Sequence, residues 1–153
     1  MLRHLSIRDV VLIDQAEMSF GAGLSALTGE TGAGKSILLD AFGLTLGARS
    51  DAGLVRRGAD NASVTAIFED AGTQELQDIL KKHEIEIDTG EDLILRRTVS
   101  ADGRSRAFLN DQPISISLLR QIGDTLVEIH GQFERFSLAD PANQRRALDA
   151  FAA

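Results

Sequence analysis

Residues 29–36 read Gly-Glu-Thr-Gly-Ala-Gly-Lys-Ser, a complete loop of the form G-x-x-x-x-G-K-[ST]. Few motifs constrain a fold so strongly, because this one works only between a buried strand and a helix. Both flanks fit: residues 23–28 read as a short buried strand and residues 37–46 as a helix. The glycines let successive backbone N–H groups turn toward one anion, and the helix N-terminus adds its positive dipole. The expected ligand is a nucleoside triphosphate, held by Gly29, Glu30, Thr31, Gly32, Ala33, Gly34, Lys35, Ser36 and Ile37. In such loops the lysine, here Lys35, reaches the β- and γ-phosphates, and the Ser36 hydroxyl ligates Mg²⁺. A chance Gly-rich turn is the alternative, and pattern and flanks together count against it.

The rest of the composition is that of a soluble globular protein, with 43% apolar and 25% charged residues. At 153 residues the chain is about one domain with a real core. It has no cysteine, which excludes disulfides and thiolate metal sites and fits a reducing compartment. No apolar run is long enough for a signal peptide or a membrane span, so the expected location is cytoplasmic, with no membrane partner. A net charge of −7 argues against a uniformly basic nucleic-acid surface but leaves room for a local basic patch. Seven Phe with no Trp or Tyr make a base-stacking platform a poor expectation.

Hydrophobic patterning gives the order of elements. Leu5, Ile7, Leu12, Ile13, Ala16, Met18 and Phe20 suggest two strands joined near residues 8–10. The helix after Lys35 is apolar nearly all round, which predicts burial on most sides, and Gly47 is placed to stop it. Residues 62–68 read as a strand, and residues 73–84 as an amphipathic helix capped by Thr73. Residues 93–99 and 104–109 read as a hairpin around Asp102-Gly103. Residues 114–122 are expected to be helical, 126–130 a short buried strand, and 143–153 the opening of a further helix. The chain stops inside that last pattern without a cap, so it reads as cut rather than finished. About 28 residues of mostly β pattern precede the loop, a position that leans toward ATPase heads with an antiparallel β subdomain.

Other constellations leave alternatives open. A two-residue turn at Asp102-Gly103 would put Arg97, Arg104 and Arg106 on one face of the hairpin. That face is either a contact for phosphate or an acidic partner, or an ordinary solvated one. Residues 64–70 end in Glu69-Asp70 and resemble an Mg²⁺-holding strand; a strand at an edge or in a meander, ending in solvated acids, is the better fit. Gln132 after a strand and Gly turn could reach Mg²⁺ or the attacking water, although spacing alone favours a surface role. His130 reads better as a hydrogen-bonded strand end than as a base, and Arg49, Arg56 and Arg57 as exposed charges than as phosphate ligands.

The blocks Leu-Thr-Gly-Glu-Thr-Gly-Ala-Gly-Lys-Ser-Ile-Leu at 27–38, Leu-Gly-Ala-Arg at 46–49, Leu-Arg-Arg at 95–97, Gly-Arg-Ser-Arg-Ala-Phe-Leu-Asn at 103–110 and Ile-His-Gly-Gln at 129–132 go further. Together they resemble the N-terminal part of the RecN family, SMC-like members of the ABC-type ATPases. The resemblance runs from Leu2 to Phe151 and rests most on the last two blocks. It implies a fold of mixed α/β (α+β) class, a P-loop core of ABC/SMC type with an antiparallel β subdomain, as the N-terminal half of an ATPase head. Residues from about 143 would begin a helix leading to a coiled coil outside this chain. It also implies ATP and Mg²⁺ as cofactors, Lys35 and Gln132 as catalytic residues, and Ser36 and Gln132 (the Q-loop glutamine) at the metal. Partners implied are the C-terminal half of the same head, DNA at double-strand breaks in the intact protein, and a second head once the first is complete. Location would become nucleoid-associated during action on DNA. The family's Walker B acids, Leu-Ser-Gly-Gly signature and switch His have no counterpart in this sequence. This chain alone is therefore expected to bind ATP without turning it over. A small P-loop phosphotransferase and a non-catalytic nucleotide-binding interaction module are the alternative functions.

Overall fold

The computed structural model describes residues 1–28, 34–69, 73–88 and 90–127. Its frame is one six-stranded sheet in the order β2-β1-β3-β4-β5-β6. The strands are β1 (Leu2–Val10), β2 (Ile13–Ser19), β3 (Asn61–Phe68), β4 (Leu93–Ser100), β5 (Ser105–Leu109) and β6 (Gln112–Ile114). Every pairing between them is antiparallel. Three helices, α1 (Lys35–Thr45), α2 (Gln74–Lys82) and α3 (Ile116–Leu126), accompany the sheet, with α1 over β1, β3 and β4 and α3 over β5. The fold is thus of mixed α/β class, carried by an antiparallel sheet.

Alternation along each strand decides which face is covered. Leu5 and Ile7, then Val64, Ala66 and Phe68, then Leu93, Leu95 and Val99, then Ala107 and Leu109 are buried together with Ala41, Phe42, Leu44, Leu119 and Ile122 of the helices. Side chains one step out of phase, including Ser6, Ser63, Thr65, Thr98 and Arg106, point to the other face and remain partly or fully exposed. The last strand, β6, is short and contains Pro113, which has no N–H to donate.

The helix ends follow local chemistry. Thr73 caps α2 by accepting a hydrogen bond from Leu76 N–H at 3.4 Å, and Ser115 caps α3 by accepting one from Leu118 N–H at 3.1 Å. Helix α1 ends in a Schellman motif: Gly47 N–H donates to the Leu44 carbonyl, Ala48 N–H to the Gly43 carbonyl, and Gly47 has φ +82°. Gly47 also has a tertiary reason to be glycine. A Cβ there would lie 2.7 Å from the Arg120 backbone in α3, and one on Gly123 would lie 2.9 Å from Leu46 Cα. The end of α1 and the middle of α3 therefore touch backbone to backbone.

Several expectations need correction. The run at 23–28 is not a buried strand: residues 24–28 carry no regular structure, and Leu24 and Leu27 are 101% and 54% exposed. A strand of that kind is stabilised by neighbours on both sides, and no described strand pairs with it. Helix α1 is buried along one side only, since Leu39 is 53% exposed. Strand β1 runs on to Val10, so the first turn falls at Val11-Leu12 rather than at 8–10. Of the two settings expected for residues 64–70, the meander holds rather than the edge: β3 lies between β1 and β4 and opens the antiparallel run β3-β4-β5-β6. The third helix starts two residues late, because Gln112–Ile114 pairs as β6, and it continues through Leu126 where a strand was expected. Val127 is the C-cap of α3, and residues 128–130 and the helix expected at 143–153 lie outside the described residues.

Gly47 and Gly103 share a positive φ, at +82° and +84°, but only Gly47 faces a crowded neighbour. Thermal denaturation should show Gly47→Ala costing about 3 kcal/mol, from backbone strain plus overpacking, against about 1 kcal/mol for Gly103→Ala. Equal losses would mean that the contact with α3 can relax.

Candidate nucleotide-binding site and arginine hairpin

The described part of the phosphate loop is Gly34, Lys35, Ser36 and Ile37; residues 29–33 lie outside the described residues. Gly34 is the N-cap of α1, with no side chain capping the helix and no acid in its first turn. The first helical hydrogen bond runs from Leu38 N–H to the Gly34 carbonyl at 3.0 Å. The N–H groups of Ser36 and Ile37 therefore precede the first helical hydrogen bond and lie at the positive end of the helix dipole. A helix that begins with neither a capping side chain nor an acid suits an external anion, with the Ser36 hydroxyl exposed in the same turn for a cation. No cluster of three or more His, Cys, Asp or Glu occurs among the described residues. Gln132 and His130 lie outside the described residues.

The chain leaving α1 crosses the end of β1. Val11 N–H donates to the Leu54 carbonyl at 2.9 Å and Arg56 N–H to the Asp9 carbonyl at 2.8 Å. Arg56 pairs with Asp14 at 3.0 Å and with Asp9 at 3.8 Å, so it serves as a structural charge. An open polar cavity of about 510 Å³ lies beside it, lined in part by Arg57, Gly58, Asp60 and Asn61. At the end of β3, Glu69 pairs with Arg3 at 3.6 Å, as expected of a solvated acid rather than a metal ligand.

The arginine hairpin departs from its expected register. Ser100 N–H donates to the Arg104 carbonyl and Gly103 N–H to the Ser100 carbonyl, both at 2.8 Å. The loop is therefore Ala101-Asp102-Gly103, three residues with Gly103 in the left-handed region and Asp102 at negative φ. A two-residue turn at this sequence would force Asp102 to positive φ as well, and the three-residue loop avoids that. One extra loop residue shifts the pairing by one and moves half the side chains to the opposite face. Thr98 thus faces Arg106, Arg96 faces Phe108, and Arg97 faces Ala107.

So Arg97, Arg104 and Arg106 do not share a face. Arg104 and Arg106 stay outside, with Arg96 in the place foreseen for Arg97. The Arg96 guanidinium sits 4.3 Å from the Phe108 ring centroid and pairs with Asp111 at 2.8 Å. Arg104 pairs with Asp102 at 2.7 Å. Across the uncovered sheet the same rows continue through Arg8-Ser63-Thr98-Arg106 and Ser6-Thr65-Arg96-Phe108. Arg97, by contrast, is only 3% exposed among the helix-side apolar residues. Its Nε donates to Ser105 Oγ at 2.6 Å and one Nη to Ser50 Oγ at 3.2 Å, while the other Nη has no partner. Burial pushes its pKa below the ordinary arginine value. The strand itself carries a signal that would have found this: Leu93, Leu95 and Val99 share the phase of Arg97.

Residues 4–152 match the AAA domain family model. The chain belongs to the AAA domain family. It is 41% identical over 152 residues to the DNA repair protein RecN of Xylella fastidiosa strain Temecula1, covering 99% of this chain and 27% of that protein. To RecN of Vibrio cholerae it is 40% identical, again with 99% and 27% covered. The chain thus spans about a quarter of the length of these relatives, along stretches that include the expected phosphate loop. Among solved structures, an SMC ATPase studied for ATP-driven dimerization and DNA-stimulated activation superposes with a TM-score of 0.66 at 22% identity, covering 98% of each chain. The recombination mediator RecF with ATP superposes with a TM-score of 0.56 at 16% identity, over 97% of this chain and 37% of that one. At these identities the structural likeness speaks for the fold, which is that of P-loop ATPase heads. No helix among the described residues is long and apolar enough to cross a membrane.

At the hairpin, Asp102 accepts the Arg104 N–H at 3.1 Å and the Arg104 Nε–H at 2.7 Å, which holds its carboxyl below the ordinary aspartate range. A lowered folded-state pKa contributes stability above the unfolded value, and that contribution is lost as pH falls through the folded value. Amide shifts of Gly103 and Arg104 should therefore titrate at a pH below that of an unperturbed aspartate, and Asp102→Asn should abolish the titration. A midpoint at the ordinary value would refute the pairing.

Proposed function

We propose that this chain is the ATP-binding part of a RecN-like ATPase head that acts in recombinational repair of DNA double-strand breaks. The observation that carries the reading is the start of α1, where uncapped N–H groups meet Lys35 and Ser36. Bound Mg·ATP would supply a cleavable phosphoanhydride. The chain's own residues would cradle it (Gly29, Glu30, Thr31, Gly32, Ala33, Gly34 and Ile37), neutralise phosphate charge (Lys35), and organise metal and water (Ser36 and Gln132).

Hydrolysis is assigned to the complete head, because the acids that would polarise water have no counterpart in this sequence. The chain covers only 27% of its RecN relative. The exposed Leu24, Leu27 and Leu39 suit cover by the remainder of such a head. Head-to-head pairing would follow once that remainder is present.

Thermal unfolding with Mg·ATP, with Mg·GTP and without ligand tests the site. ATP at 100 times its dissociation constant should stabilise the fold by about 2.7 kcal/mol. Lys35→Ala should remove most of that gain without changing the apo transition. Steady-state ATP turnover by the wild-type chain should stay at background. Unchanged affinity in a folded Lys35→Ala variant, or robust turnover lost with that change, would overturn the assignment.

The reading also places DNA or the remaining half of the head against Arg104 and Arg106 on the uncovered side of the hairpin. If the partner is DNA, Arg104→Glu with Arg106→Glu in the intact protein should weaken binding alike for all sequences and lower its salt slope by about 2. If the partner is the other half of the head, the same pair should impair assembly and leave DNA binding unchanged. No effect on either would leave these as ordinary solvated charges.

A further inference from the structure

Arg97 is the one charged residue among the buried residues described, and it forms no salt bridge with a carboxylate of the described residues. Placing a guanidinium among Leu95, Val99, Val64 and Ala107 is costly unless all of its donors are used, and one of its terminal nitrogens is not. An aliphatic residue would pack there at lower cost. What Arg97 provides instead is reach. Its two hydrogen bonds join Ser50, which leaves α1, to Ser105, which stands between Arg104 and Arg106. Ser105 also donates to the Thr98 carbonyl at 3.1 Å, so the bridge is anchored to both strands of the hairpin.

The other end of that path is rigid. Helix α1 carries Lys35 and Ser36 at its start and the Gly47 Schellman turn at its end, clamped by backbone contact to Arg120. Ser50 follows three residues later. Only residues 48 and 49 separate that turn from Ser50, and the unused Arg97 nitrogen offers a second hydrogen-bonding arrangement within the same cluster. A coupled pair of sites needs two such arrangements of one packed element.

We propose that Arg97 is a positioning residue that ties the exit of the P-loop helix to the Gly-Arg-Ser-Arg hairpin, so that nucleotide bound at the start of α1 alters the hairpin through Ser50 and Ser105. The proposal rests on the reading of the P-loop as a nucleotide site. It adds a route from that site to Arg104 and Arg106, on the uncovered side of the sheet.

Hydrogen exchange of the 99–108 segment, measured on the 153-residue chain with and without Mg·ATP, tests it. In the wild type, Mg·ATP should change exchange of the Arg104–Arg106 amides by about fivefold. Arg97→Met should keep ATP affinity within about threefold of wild type while the exchange response disappears. Ser50→Ala, a small change at a partly exposed position, should also abolish the response, and it keeps the test valid if Arg97→Met fails to fold. Arg97→Lys, which retains the charge but cannot span both hydroxyls, should not restore it. A folded Arg97→Met or Ser50→Ala chain that still responds to ATP overturns the coupling. So does a wild-type chain that binds ATP without any response. A wild-type chain that fails to bind Mg·ATP refutes the nucleotide reading itself, which the Lys35→Ala comparison detects separately.

Discussion

The tightest constraint in the molecule is the contact between the end of α1 and the middle of α3, where Gly47 and Gly123 each leave room for the other helix's backbone. Neither glycine puts a side chain of its own between the two, so the chain at the end of α1 and the backbone of α3 come together directly. This sets the height of α1 above β1, β3 and β4 and brings its N-terminus to a defined place. A helix N-terminus is a useful anion receptor only when it is held still.

The sheet divides the remaining work. Its helix side is apolar except for Arg97 and its partner Ser105, and its open side carries serines, threonines and arginines among its residues. Much of the positive charge on the open side is already engaged, Arg96 by Asp111 and Phe108 and Arg104 by Asp102. Such pairing holds the side chains in place and lowers the conformational entropy lost when a partner arrives. It also explains how a chain of net charge −7 can present a local basic surface.

Much of this was legible in the sequence. The strands near 62–68, 93–99 and 104–109 and the caps at Thr73 and Gly47 follow from period, N-cap chemistry and glycine placement, all local signals. What misled was non-local or finer than a dipeptide. The 24–28 run has the composition of a buried strand, but burial depends on neighbours that the described residues do not contain. The Asp102-Gly103 pair signals a hairpin without fixing the loop length, and one residue of difference turned Arg97 inward. The apolar phase of Leu93, Leu95 and Val99 outweighs the turn dipeptide as a guide to register, because a whole buried face depends on it. The expected phosphate loop rests on its motif, and of its residues only Gly34 to Ile37, around the first turn of α1, are among the described ones.

The two outer strands bear on how this sheet behaves among copies of itself. At one margin β6 is three residues long and carries Pro113, which interrupts any ladder of N–H donors. At the other, β2 carries Asp14 and Glu17 along its length, so an approaching copy would bring like charges together. Neither margin offers a flat, unguarded template for strand addition. Self-association of such a sheet into fibrils is disfavoured from both sides, which leaves its broad surfaces as the places where partners can add.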